Sequence, residues 1–131
     1  MDTGAIVAFL HADDQAHRAV TDALGGFRGV LLASEAVLTE SVYLLGRVRG
    51  GPAACLEFFI RGAAVLVPAS RESLVRCRAL MARYADIPMD FADATLAALA
   101  EEMDTCVVYT LDRRGFSAYR TAAGKQFEVR P

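Results

Sequence analysis

Cys106-Val107-Val108-Tyr109-Thr110-Leu111-Asp112 is an apolar, β-branched run that stops on an acid. Its content of Val, Tyr and Thr predicts a buried strand over 106–110. Leu111-Asp112-Arg113-Arg114-Gly115 then ends the strand abruptly in a loop. Just upstream, Pro88-Met89-Asp90-Phe91-Ala92-Asp93-Ala94-Thr95-Leu96-Ala97-Ala98-Leu99-Ala100 is rich in Ala and Leu, the strongest helix formers. It predicts a helix over 90–102 with Leu96, Leu99 and Met103 turned inward. A helix feeding directly into a buried strand is the repeating unit of an α/β fold.

The rest of the chain repeats that alternation. Asp13-Asp14 precede an amphipathic helix carrying Ala16, Val20 and Leu24, which Gly25-Gly26 close. Val30-Leu31-Leu32-Ala33 reads as a short buried strand, with Ser34 as N-cap of a helix running to about Arg47. Gly50-Gly51-Pro52 breaks the chain before a helix from about Ala53 to Ile60. Ala63 to Pro68 is the next strand. Ser70 caps a helix whose Leu74, Cys77, Leu80, Met81 and Tyr84 face inward, and Gln126-Phe127-Glu128-Val129 forms a final strand at an edge. The expected architecture is α/β, a three-layer sandwich with a mainly parallel central sheet flanked by helices, as a single domain over 1–131.

Composition narrows the function. At 131 residues the chain is long enough for a real core. A hydrophobic fraction of 54% and a mean hydropathy of +0.30 exceed what one small core needs. No segment approaches the ~20 apolar residues of a membrane span. The surplus predicts a partner interface, a homodimer or a stable complex. With no basic start followed by a long apolar run, a cytoplasmic location is expected. Cys55, Cys77 and Cys106 are odd in number and far apart, so they read as reduced core thiols. A net charge of −2, with Lys125 the only Lys, does not advertise a nucleic-acid binder.

The acids carry more information. Asp93 projects from nearly the same side of its helix as Leu96, where a carboxylate is costly unless it caps the helix or meets a cation. Asp90 as N-cap with Asp93 in the first turn is the local alternative. Glu40 emerges mid-helix among Ala36, Val37, Tyr43 and Leu44, where no capping role explains it. Asp112 follows the strongest strand, at the end where α/β folds gather functional groups. Asp2 stands at the head of an apolar run. Carboxylates brought together repel unless a cation intervenes, and hard divalent ions such as Mg²⁺ or Mn²⁺ suit oxygen ligands. Such ions activate water for phosphodiester cleavage. His11 and His17, six residues apart, read as surface side chains. Asp2-Thr3-Gly4-Ala5 also spells an aspartic-protease signature, but that site needs an all-β dimer.

The four blocks Asp2-Thr3-Gly4-Ala5, Leu38-Thr39-Glu40-Ser41-Val42-Tyr43-Leu44-Leu45, Met89-Asp90-Phe91-Ala92-Asp93-Ala94-Thr95-Leu96 and Tyr109-Thr110-Leu111-Asp112-Arg113-Arg114-Gly115-Phe116 together resemble a PIN domain of the VapC-like, toxin-type branch. The resemblance spans essentially the whole chain. It implies a Mg²⁺- or Mn²⁺-dependent endoribonuclease, the toxin of a toxin–antitoxin pair, with an RNA substrate and an antitoxin protein as partner. It further implies that Asp2, Glu40, Asp93 and Asp112 form the catalytic, metal-holding quartet with Asp90 as helper, and that Thr110 hydrogen-bonds in the site. Arg113 and Arg114 become candidates for steadying RNA phosphates. The alternative is a PIN-fold module that binds nucleic acid or protein and cleaves nothing. Two departures stand out. Only Met1 precedes Asp2, where relatives carry a few more apolar residues, so a late start or a stunted first strand is expected, with a charged amino terminus near the site that weakens metal binding. Gly4 stands where Ser is common.

Overall fold

The computed structural model describes residues 1–87 and 89–131. In chain order the elements are α1 (Thr3–Leu10), α2 (His17–Gly25), β1 (Leu32–Ser34), α3 (Glu35–Leu45), α4 (Gly51–Ile60), β2 (Val65–Val67), α5 (Arg71–Arg83), α6 (Phe91–Glu102), β3 (Val107–Tyr109), α7 (Arg113–Ala118) and β4 (Glu128–Arg130). The expected α/β alternation is what the chain builds. Pro88, the first residue of the stretch read as the central helix, lies outside the described residues.

All strand pairing within the named elements is parallel, as expected. β1 pairs with β2 in the register Leu32–Val65, Ala33–Leu66 and Ser34–Val67. β3 pairs with β4 as Val107–Glu128, Val108–Val129 and Tyr109–Arg130. The sheet is therefore carried as two parallel pairs. Met1 and Asp2 cross the gap between them. The Met1 amino group donates to the Leu32 carbonyl at 2.6 Å, and the Asp2 amide donates to the Tyr109 carbonyl at 2.8 Å. Successive N–H groups aimed at opposite neighbours are the pattern of an extended chain between two strands. Behind Met1 the gap continues as an apolar slot of about 220 Å³ between Leu31 and Leu32 on one side and Val107 and Val108 on the other.

The capping chemistry follows the sequence closely. Ser34 Oγ accepts from the Val37 amide, Ser70 and Ser73 form a reciprocal capping box, and Asp90 accepts from the Asp93 amide. Each satisfies an orphan donor in a first helical turn. α6 is the pivot of the core. Ala92 and the whole run from Ala94 to Ala100 are buried, so the helix is enclosed on nearly every side. Its small Ala faces let α5, α3 and β1 approach closely. Ser34 Oγ and Thr95 Oγ1, 2.7 Å apart, tie the end of β1 to α6.

Several expectations shift. Val30 is exposed at 68%, and β1 begins at Leu32, where pairing with β2 starts. Met103 is exposed because α6 has already ended at Glu102. On α5 the buried stripe is Cys77, Leu80 and Tyr84. Leu74 and Met81 lie about 40–60° round the helix from Cys77 and stay exposed. The loop after β3 contains a helix, α7, which its Arg-Arg-Gly opening concealed. Cys55 and Cys77 are buried free thiols, and Cys106 is a half-buried one.

Candidate active site

Asp2 is placed by the crossing of the two strand pairs and ends as the N-cap of α1. Its Oδ1 accepts from the Thr3 amide at 2.6 Å and its Oδ2 from the Thr110 hydroxyl at 2.6 Å. Thr110 is fully buried just past β3, and its Oγ1 also accepts from the Asp112 amide at 2.9 Å. One hydroxyl thus couples two of the predicted acids. Asp112 caps α7, with Oδ1 accepting from the amides of Arg114 and Gly115 at 3.1 Å each. Its second oxygen, Oδ2, faces the Cα of Gly115, where a Cβ would collide with it.

Glu40 reaches the group from α3. Its Oε2 accepts from the Thr3 hydroxyl at 2.7 Å. The apolar surroundings expected for Glu40 are only half present. The buried face of α3 is Val37, Ser41 and Leu45, whereas Tyr43 and Leu44 are exposed. Glu40 sits half-buried beside that face. Asp93 is also half-buried, and Asp90 and Asp112 are exposed. The capping reading holds for both Asp90 and Asp112, and in each the cap engages one carboxylate oxygen, Oδ1.

The acids act on one another by like-charge repulsion. The Asp93 carboxyl is pushed up to about 7, first by burial and then by the negative charges of Asp90, Asp2, Asp112 and Glu40. Asp2 is also raised, chiefly by burial. Its bonds from Thr110 and Thr3 and the nearby amino terminus offset part of that, and Glu40 adds to it. The Met1 amino group is lowered to about 6 by burial. The amino group does lie beside Asp2, but burial favours its neutral form there, contrary to the charged terminus expected. Among the described residues, no three acidic groups stand close enough to enclose an ion as they are. The donor set is wholly carboxylate, without Cys or His, and that chemistry fits a hard divalent cation.

Arg113 and Arg114 are exposed in the first turn of α7, next to Asp112. His17 bonds the Ala8 carbonyl through Nδ1 at 2.8 Å and takes no part in the group. Sequence reasoning missed Thr3 and Gly115. Thr3 could have been found from its place beside the first acid. Gly115 gave no signal, because its role depends on a helix that the sequence did not announce.

Residues 1–122 match the PIN domain family model. The chain is 32% identical to "Ribonuclease VapC26" of Mycobacterium tuberculosis, across 100% of this chain and 98% of that protein. In three dimensions it is similar to the crystal structure of Mycobacterium tuberculosis VapC20, described as a sarcin-ricin loop cleaving toxin. The TM-score is 0.79 at 24% identity, covering 99% of this chain and 97% of that one. With residues 1–122 matched by the family model and its whole length aligned with a VapC ribonuclease, this chain belongs to the PIN domain family, in the VapC-like branch.

Proposed function

We propose that this protein is an endoribonuclease that hydrolyses RNA phosphodiester bonds with Mg²⁺ or Mn²⁺, the toxin of a toxin–antitoxin pair. The observation that carries the reading is Asp93, whose carboxyl is held at about 7 by burial among four other acids. Such a cluster is destabilised when ionised, and a divalent cation relieves it. A relative named a ribonuclease at 32% identity supports the same chemistry.

In this reading Asp2, Glu40, Asp93 and Asp112 hold the ion and Asp90 adds negative potential at the rim. When bound, the ion polarises the phosphate and lowers the pKa of the attacking water. Thr110 keeps Asp2 and the Asp112 backbone in fixed relation, and Thr3 does the same for Glu40. Arg113 and Arg114 meet RNA phosphates, where a guanidinium gives charge-assisted contacts. The antitoxin and a homodimer partner belong to this reading. Exposed Tyr43 and Leu44 on α3, with Leu56 and Ile60 on the adjoining α4, offer apolar surface to a protein. A cytoplasmic location belongs to this reading as well.

The test is cleavage of a mixed structured RNA pool by the purified protein with Mg²⁺, with Mn²⁺ and with EDTA, beside Asp93→Asn. Cleavage that needs metal and falls at least a hundredfold in the variant is expected, about 2.7 kcal/mol of lost transition-state stabilisation. Folded protein that cuts nothing under any metal would favour the non-catalytic module.

A further inference from the structure

α5 and α6 run antiparallel, and one ion pair fixes their register. Arg76 Nε, in the first half of α5, donates to Glu101 Oε2 at 2.6 Å, near the end of α6. A helix returns to nearly the same facing direction after seven residues, about 10.5 Å further on. Seven residues after Arg76 comes Arg83, and seven before Glu101 comes Ala94. Arg83 therefore leaves α5 on the side that faces α6, at a level where α6 carries alanine in place of a partner carboxylate. That level is the opening turn of α6, which holds Asp93 and is capped by Asp90.

Arg83 is exposed, and none of the ion pairs among the described residues includes it. It is held all the same. Its guanidinium carbon lies 5.3 Å from the centre of the Tyr84 ring. Tyr84 is buried, its ring packs on Tyr119 at 5.0 Å, and its hydroxyl accepts from the Arg120 amide at 2.9 Å. From Tyr119 the contacts run on to the acidic site, because a Cβ at Gly115 would stand 2.9 Å from the Tyr119 hydroxyl oxygen and would also run into Asp112 Oδ2. A stacked tyrosine pair thus links Arg83 to the neighbourhood of Asp112. A guanidinium resting on an anchored ring has less freedom to lose on binding, and its N–H fork stays open.

We propose that Arg83 is a substrate-binding residue: stacked on Tyr84, its guanidinium takes a backbone phosphate of RNA within a few nucleotides of the bond cut at the acidic site. This rests on the ribonuclease reading above, and it adds a contact from α5 to those of Arg113 and Arg114 on α7. A cluster of carboxylates repels the polyanion that it is to cut, so cations must meet the phosphates at its rim. An open planar fork suits paired phosphate oxygens and reads no base. Arg83 also stands in the last turn of α5, where a cation favours the helix dipole. That role alone would alter melting temperature and leave the salt dependence of RNA binding untouched.

The test is Arg83→Gln in the full chain. It is read by binding of a fluorescent single-stranded RNA in an Asp93→Asn background, which does not cut, across a series of salt concentrations. Cleavage kinetics and thermal unfolding are measured in the otherwise wild-type chain. One lost phosphate contact predicts RNA affinity about 3- to 10-fold weaker and a slope of log affinity against log salt smaller by about 0.7. KM rises while kcat holds. Arg83→Lys restores the salt slope, and Arg61→Gln, which removes the same charge from α4, leaves it unchanged. Should Arg83→Gln fail to fold, the Arg83 Nε–H resonance of ¹⁵N-arginine-labelled Asp93→Asn protein shifts as RNA is added. A folded Arg83→Gln with an unchanged salt slope, an equal loss in Arg61→Gln, or an Arg83 resonance indifferent to RNA overturns the proposal alone. Wild-type protein that neither binds nor cuts RNA overturns it together with the ribonuclease reading.

Discussion

Asp93 shows how one residue can serve two masters. Its position in the first turn of α6 favours a negative charge there, yet the charges around it make ionisation costly. The consequence is a pH dependence of defined sign. Unfolded, the carboxyl titrates near its ordinary value of about 4; folded, it titrates at about 7. Across that window the folded state binds more protons, so stability falls as pH rises. Melting temperatures of metal-free protein from pH 4.5 to 6 should decline, and Asp93→Asn should flatten that decline; above pH 6 the Met1 amino group, lowered to about 6 by burial, works in the opposite sense. A wild-type melting temperature that instead climbs across this range would contradict the clustering of the acids. Mg²⁺ should restore stability most at the upper end, where the acids are ionised.

At the scale of elements, α5 and α6 form the most extensive pairing among the described residues. Cys77, Leu80 and Tyr84 supply the apolar seam on α5, and Arg76 adds a two-pronged bond to Glu101. Arg76 Nε lies 2.6 Å from Glu101 Oε2, and a second guanidinium nitrogen lies 2.7 Å from Oε1. The Glu101 side chain is only 14% exposed, which sets this pair apart from the solvated pair of Arg18 and Asp22. Such fork-to-fork pairing in a half-buried setting is worth more than a surface bridge. Glu101→Gln should cost about 1–2 kcal/mol in urea unfolding, whereas Asp22→Asn should cost less than about 0.5 kcal/mol. Equal costs would mean that the pairing of α5 with α6 is purely apolar.

For the whole molecule the decisive feature is the divided sheet. The slot behind Met1 is bounded by the facing edges of β1 and β3 and by Leu96 and Leu99 of α6. Its width suits one extended chain, since Met1 and Asp2 already bond to both sides of the same gap. A chain carrying Val-Ile-Val in front of Met1 should therefore be more stable than one carrying Gly-Ser-Gly. Burying about two apolar side chains at about 1.5–3 kcal/mol each roughly offsets about 1–2 kcal/mol for each of the three ordered residues, and the new strand's backbone hydrogen bonds, at about 0.5–1.5 kcal/mol each, leave a modest gain. A rise of about 3–6 °C in melting temperature is expected, read by differential scanning calorimetry. No difference between the two extensions would show that the slot does not accept a strand.

What the sequence determined by itself was local. Ser34, Ser70 and Asp90 cap where their short polar side chains predict, the Ala- and Leu-rich run is the buried central helix, and Val107 to Tyr109 is a strand. These follow from propensity and period, which neighbours in the chain set. The order of the acids pointed to a common site; in the structure the other acids act on Asp93, while among the described residues no three of them stand close enough to enclose an ion. Only tertiary structure decided the rest. Thr3 bonds Glu40 across 37 positions and Thr110 bonds Asp2 across 108. Val30, Leu74 and Met81 look as apolar as their buried neighbours and yet face solvent, because burial depends on which strand or helix arrives opposite them. Local chemistry shapes each element, but the distance between two elements is fixed by what packs between them, and no single stretch of sequence contains that information.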